Sequence, residues 1–242
     1  MGKTRSRHSR HYRKKRHIRH TKRRVGRKRH KSRRRHRMRS RHNKRGGSSH
    51  IENIINMPMV KHTLVNGLYV VELGPGEHKA SDIPYWDEDK ETGVGFICIE
   101  DGNKIQFKGA GKDKTKVTGG GFYIGKGSTG ELHNMTIEGA SPNGVSIGEK
   151  NAVGIIKQCK IQESDASGVS VMRGGKAVLD DCDIWNNKKI GVHTDKTSYL
   201  EMRNCRLWDN GKKDLEARGR YQMENNDVKE QRHILDTKAY AT

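Results

Sequence analysis

Three cysteines, Cys159, Cys182 and Cys205, follow one another at a spacing of 23 residues. A fixed period of that length excludes most folds before any strand or helix is assigned. Each cysteine has an apolar residue three places before it (Ile156, Leu179, Met202) and another two places after it (Ile161, Ile184, Leu207). The same frame reads once upstream with Leu132, Met135 and Ile137, and once downstream with Met223, Asn226 and Val228. The pattern thus recurs five times, at steps of 24, 23, 23 and 21. Between its first two members stand His133-Asn134, Lys157-Gln158, Asp180-Asp181, Arg203-Asn204 and Glu224-Asn225, the second residue always Asn, Asp or Gln. Asn and Asp enter left-handed backbone at low cost, so a two-residue corner is expected there. A second strand keeps the same period: Gly144-Val145-Ser146-Ile147, Gly168-Val169-Ser170-Val171 and Gly191-Val192-His193-Thr194. Gly121-Phe122-Tyr123-Ile124 precedes these, and Asp214-Leu215-Glu216-Ala217 follows with its glycine replaced.

Short strands joined by corners at this period build a coil of parallel strands, one turn per repeat, with rungs ~4.8 Å apart. Helical repeats of roughly 33–47 residues do not match. Leucine-rich repeats overlap in period, but no helical stretch separates the strands here. The crossover rule makes the coil right-handed. The expected fold is all-β, a right-handed parallel solenoid of about five to seven rungs.

The blocks GIIKQCKIQESDASGVSV, AVLDDCDIWNNKKIGVHT and LEMRNCRLWDNG resemble the right-handed parallel β-helix family, the pectate-lyase-like superfold. The opening segment fits as well, with YVVELGPGEHKA followed by KIQFKGAGKDKTKVTGG. The resemblance covers residues 58–235 and is specific for fold rather than function. It spans lyases, hydrolases, epimerases, phage tailspikes and non-catalytic modules. Lyases of this kind gather acidic residues around calcium, and the polygalacturonase-like hydrolases carry Gly-His-Gly and Arg-x-Lys blocks. Those hydrolases also carry Asn-Thr-Asp and Asp-Asp blocks, and of the four only Asp-Asp is present within residues 58–235, as Asp180-Asp181 at a corner of the repeat. A glycosidase needs two carboxylates flanking the scissile bond. Asp183 and Asp209 fit that distance no better than many other pairs. No catalytic residue, cofactor or metal site is assigned, and the sequence leans against catalysis.

Charge divides the chain. Residues 1–50 hold 24 Lys and Arg and no acid, whereas the remainder holds 26 basic and 28 acidic residues. The only apolar side chains in the first fifty are Met1, Tyr12, Ile18, Val25 and Met38. They cannot offset backbone ordering costs of ~1–2 kcal/mol per residue. Residues 1–50 therefore read as a disordered cationic tail and linker, and 51–242 as the β-helix domain, with 229–242 as a C-terminal cap. Polycations bind phosphodiester chains by releasing counterions, without reading sequence. The expected phosphate contacts are Arg13, Lys14, Lys15, Arg16, Arg23, Arg24, Arg27, Lys28, Arg29, Arg33, Arg34, Arg35, Arg37, Arg39 and Arg41. A nuclear or nucleolar address, a viral particle, or a membrane-surface or polysaccharide anchor are further uses of such a tail. No secretory signal or membrane-spanning run is legible.

Stacking turns each repeat position into a column. Cys159, Cys182 and Cys205 should line the interior as small buried hydrophobes. Ser164, Asn187 and Asn210 should form a hydrogen-bonded ladder. Thr136, Lys160, Asp183, Arg206 and Asp227 should point outward as a solvated ion ladder. Trp185 and Trp208 fall on adjacent rungs, either covered by chain or exposed as a platform for a sugar or a base. His193 and Glu216 fall on outward positions of the second strand, a pair of the kind that does acid–base work or meets a ligand. The expected function is a non-catalytic scaffold and binding module held on DNA or RNA by its tail. The alternative is a carbohydrate-binding or carbohydrate-active β-helix with the tail as a targeting signal.

Overall fold

The structure is a computed structural model and describes residues 60–89 and 92–229. The expected tail with its phosphate contacts, and the expected cap from 230 onward, lie outside these residues. The first turn is irregular and holds β1 (Val60–Val65), β2 (Leu68–Leu73), β3 (Gly76–Lys79), β4 (Trp86–Asp89) and β5 (Val94–Ile99). Five regular turns of three strands follow. They are β6 (Lys104–Gly109), β7 (Thr115–Thr118) and β8 (Gly121–Ile124); β9 (Thr129–His133), β10 (Thr136–Glu138) and β11 (Val145–Gly148); β12 (Val153–Lys157), β13 (Lys160–Gln162) and β14 (Val169–Met172); β15 (Lys176–Asp180), β16 (Asp183–Trp185) and β17 (Ile190–Thr194); and β18 (Tyr199–Arg203), β19 (Arg206–Trp208) and β20 (Lys213–Ala217). β21 (Arg220–Glu224) and β22 (Asp227–Val228) begin one more turn. Like strands stack into three sheets. Sheet A runs β1-β2-β6-β9-β12-β15-β18-β21, sheet B runs β3 to β22 through β10 and β16, and sheet C runs β4 to β20 through β11 and β17.

The register is the one the period requires. Ile137, Ile161, Ile184, Leu207 and Val228 pair in sequence on sheet B, and Leu132, Ile156, Leu179, Met202 and Met223 on sheet A. These side chains and Cys159, Cys182 and Cys205 fill the interior, except that Met223 and Val228 of the last turn are only partly buried against it. The corners also fall where expected. Asn134, Gln158, Asp181, Asn204 and Asn225 have φ of 58°, 53°, 52°, 54° and 51°. A second left-handed corner follows sheet B, at Gly139, Glu163, Asn186 and Asp209. The glutamate there breaks the Asn/Asp pattern and hides this corner from sequence reading.

The asparagine ladder forms. Asn187 Oδ1 accepts the Ser164 N–H at 3.0 Å, and Asn210 Oδ1 accepts the Asn187 N–H at 3.1 Å. Asp214 Oδ1 accepts the Asn210 N–H at 3.0 Å. The residue that breaks the glycine column thus ends the ladder. The glycines themselves leave room for it: a Cβ on Gly168 would sit 2.7 Å from Ile184 Cγ2 and 2.9 Å from Asn187 Nδ2. At the N-terminal end, β1 and β4 run antiparallel to β2 and β5 and interrupt the parallel stack. Trp86 of β4 lies where Gly95 and Gly120 carry no side chain, closing that end of sheet C.

One column departs from expectation. Asp183 is 3% exposed and Thr136 is 6% exposed, so this is not a solvated ladder throughout. The turn between β6 and β7 lies over the outer face of sheet B. Thr136 Oγ1 donates to Lys112 O at 2.5 Å, Lys112 Nζ reaches Asp183 Oδ2 at 3.2 Å, and Arg206 Nε reaches Asp183 Oδ1 at 2.7 Å. Burial pushes the Asp183 pKa up, but the hydrogen bonds from Arg206 and Lys112 outweigh it and hold the carboxyl below its ordinary value.

Candidate functional site

Two outer faces bring the singled-out residues together. On sheet B the outward positions of β10, β13, β16 and β19 align Glu138, Gln162, Trp185 and Trp208. The two indoles stack with centroids 4.8 Å apart and planes 5° from parallel. Each spends one face on the other. The Trp208 ring also meets the Arg206 guanidinium at 5.7 Å, a cation–π contact. Both tryptophans are half-buried. Further along the same face a cavity of about 350 Å³ opens beneath the turn that carries Lys112. Its walls include Glu77, Lys114, Lys116, Glu138, Lys160 and Gln162. Lys116 Nζ bonds Glu138 Oε1 at 3.0 Å, Gln162 Nε2 bonds Glu138 Oε2 at 2.5 Å, and Lys160 pairs with Asp113. Paired ammonium and carboxylate groups, an amide and a hydroxyl make a lining of alternating donors and acceptors with little net charge.

On sheet C the outward column reads Cys98, Tyr123, Ser146, Ser170, His193 and Glu216 in consecutive rungs. His193 and Glu216 do meet, Nδ1 lying 3.5 Å from Oε2. Glu216 is buried, and its other oxygen is held by Arg218 Nη2 at 2.7 Å and Lys213 Nζ at 3.1 Å. Burial alone would raise the Glu216 pKa. The hydrogen bonds from Arg218 and Lys213 overcome it and keep the group below its usual range, hence ionised near neutrality. Sequence reasoning found the pair through its 23-residue spacing. It passed over Ser170, whose only signal is the same frame, one rung before His193.

The interior cysteines are scaffold. Burial pushes the Cys159 thiol up to about 12, so it stays protonated and donates weakly to Leu132 O and Lys157 O. Among the described residues no group of three or more His, Cys, Asp or Glu gathers to hold a metal ion. No helix among them is long and apolar enough to cross a membrane.

Three parallel sheets, one strand of each per turn over about six turns, define a right-handed β-solenoid protein. The family model for the right handed beta helix region matches residues 95–236, more than half of the chain, and the chain belongs to that family. No curated protein and no solved structure gives a match.

Proposed function

We propose that this chain is a β-helix scaffold and binding module attached to nucleic acid through its first fifty residues. One observation carries the reading: 24 Lys and Arg without a single acid stand in residues 1–50, against 26 and 28 in the rest. Several of the coil's own cations support it by being engaged already. Lys112 and Arg206 hold Asp183, Lys188 holds Asp165, Arg203 holds Glu201, and Lys229 holds Asp209. A polyanion would have to displace these carboxylates, whereas the N-terminal segment has no acid of its own to displace. The contacts are to phosphates, so duplex and single-stranded chains of any sequence are bound. A chromatin- or genome-associated scaffold, or an inner component of a viral particle, suits this architecture.

The test is a salt titration of a labelled oligonucleotide against the full chain and against the chain lacking residues 1–46. Engagement of about ten cations gives a log–log slope near −9 on duplex DNA. The truncated chain is expected to lose that binding. A full-length protein that fails to shift an oligonucleotide in dilute buffer ends the proposal. The cavity and indole stack on sheet B favour a second reading, a saccharide bound on the coil. That binding would survive the truncation and show no salt slope.

A further inference from the structure

We propose that the outward column of sheet C holds an ester-hydrolysing centre made of Ser170, His193 and Glu216, with Ser146 beside it. This inference is independent of the N-terminal segment. The register places Ser146, Ser170, His193 and Glu216 directly beside one another on β11, β14, β17 and β20. At strand spacing they occupy about 14 Å of one column. The order along the coil is that of an acyl-transfer relay: hydroxyl, nucleophile, base, carboxylate.

Each member has a role set by its neighbours. Glu216 is ionised and cannot swing away, because Arg218 and Lys213 fix its Oε1. Its Oε2 faces His193 Nδ1 at 3.5 Å. That nitrogen is sealed from solvent and makes no hydrogen bond. Beside an anchored carboxylate, a sealed Nδ1 is best served by carrying the proton. Nε2 is then left with its lone pair, the tautomer a general base requires. Ser170 lies across His193 from Glu216 and is 5% exposed. Among the described residues its hydroxyl has no hydrogen-bond partner, so its contact with His193 Nε2 is one that must form when substrate binds. On the far side of Ser170, Ser146 Oγ already accepts from Asn143 Nδ2 at 3.1 Å. Its own proton is thereby free to point at an oxyanion. Met172, two residues beyond Ser170 on β14 and 38% exposed, gives a short acyl chain an apolar flank.

In the reaction, Ser170 Oγ bonds to the ester carbonyl carbon as its proton passes to His193 Nε2. The carbonyl electrons move to oxygen, where the Ser146 hydroxyl donates a hydrogen bond. Collapse breaks the bond to the alcohol oxygen, which leaves with the proton from His193. Water then repeats the sequence on the acyl-enzyme: His193 takes its proton, the carboxylic acid departs, and Ser170 Oγ recovers a proton. Glu216 touches neither substrate nor water and acts as a positioning residue.

The test uses the full chain with a fluorophosphonate probe, and with p-nitrophenyl acetate as substrate. The folded protein is expected to take up one equivalent of probe on Ser170, located by peptide mass spectrometry. Ser170→Ala and His193→Gln should each lower hydrolysis by ~10²–10⁴-fold. Glu216→Gln should lower kcat with KM unchanged, and Glu216→Asp should recover part of the loss. That split is one that a merely structural carboxylate does not produce. The proposal is overturned if the folded chain takes up no more probe than unfolded chain. It is equally overturned if labelling persists in Ser170→Ala, or if His193→Gln, on a half-buried side chain, folds and hydrolyses at the parent rate.

Discussion

Asn187 is the side chain whose removal tests most directly how the coil is held together. It is 1% exposed. Its Oδ1 accepts the Ser164 N–H at 3.0 Å. Its Nδ2 lies 3.2 Å from Ile161 O, 3.1 Å from Trp185 O and 2.9 Å from Asn210 Oδ1. Alanine at this position leaves the Ser164 N–H buried without a partner, and two carbonyls under-satisfied. A stranded buried donor costs ~1–3 kcal/mol, and the void left by the amide adds ~1–2 kcal/mol. The expected loss for Asn187→Ala is therefore ~2–5 kcal/mol, or roughly 4–20 °C in Tm for a domain of this size. Asn210→Ala should cost a similar amount, because it strands the buried Asn187 N–H in the same way. The double variant should fall short of the sum by ~1 kcal/mol, since the two amides share a hydrogen bond. Urea unfolding followed by far-ultraviolet circular dichroism measures all three. Lys188→Ala is the control next door: its ion pair with Asp165 is exposed, and such pairs contribute ~0–1 kcal/mol. An Asn187→Ala protein within ~1 kcal/mol of the parent would refute the view that the ladder is a stabilising column.

Gly168→Ala should destabilise by ~1–3 kcal/mol in the same assay, because its Cβ meets Ile184, Gly191 O and Asn187 all inside 3.0 Å. A neutral effect would mean that the sheet B–sheet C corner yields easily. Asp183 sets an acid limb. Its folded pKa is depressed, so its contribution is complete above the ordinary carboxylate range of about 4 and is lost as pH falls through the folded value. Asp183→Asn should be less stable at pH 7 and lose less on acidification, and parallel stability–pH curves would contradict this. Native protein should expose at most Cys98 to a thiol reagent, with Cys159, Cys182 and Cys205 reacting only on unfolding. Early reaction of all four would show that the interior opens locally.

What sequence could reveal follows from how a coil repeats. Inward positions recur with the same chemistry, so Ile161, Ile184 and Leu207 announce a column without any structure. Corners recur because left-handed backbone favours Asn and Asp at one position, and all five expected positions adopt it. Features outside the repeat were hidden. Asp183 is buried by Lys112, 71 residues away on a turn that has no counterpart in other rungs. The antiparallel caps β1 and β4 belong to the irregular first turn and carry no repeat signal. The spacing that put His193 beside Glu216 says nothing of Arg218 and Lys213, which fix the carboxylate from the next outward position and from the strand's own start. Nor could it show that the indole faces of Trp185 and Trp208 are turned on each other, since that depends on ring rotation rather than register.

Salt separates the two functional proposals, because they draw on different electrostatics. Polyanion binding by residues 1–50 rests on exposed cations and released counterions. It should weaken by ~10³–10⁵-fold between roughly 50 and 200 mM salt if six to ten phosphates are engaged. The His193–Glu216 contact lies within one partly buried column, 3.5 Å across, with Glu216 held by Arg218 and Lys213. Charges that close are scarcely screened by a Debye length of about 8 Å. Hydrolysis of a neutral ester should therefore change less than about twofold over the same range, in full chain and in Arg33→Ala/Arg34→Ala/Arg35→Ala alike. A hydrolysis rate that tracks nucleic-acid affinity across the titration would show that the two activities share groups. The coil would then have to bind phosphate as well, through those of its lysines and arginines that its own carboxylates do not hold.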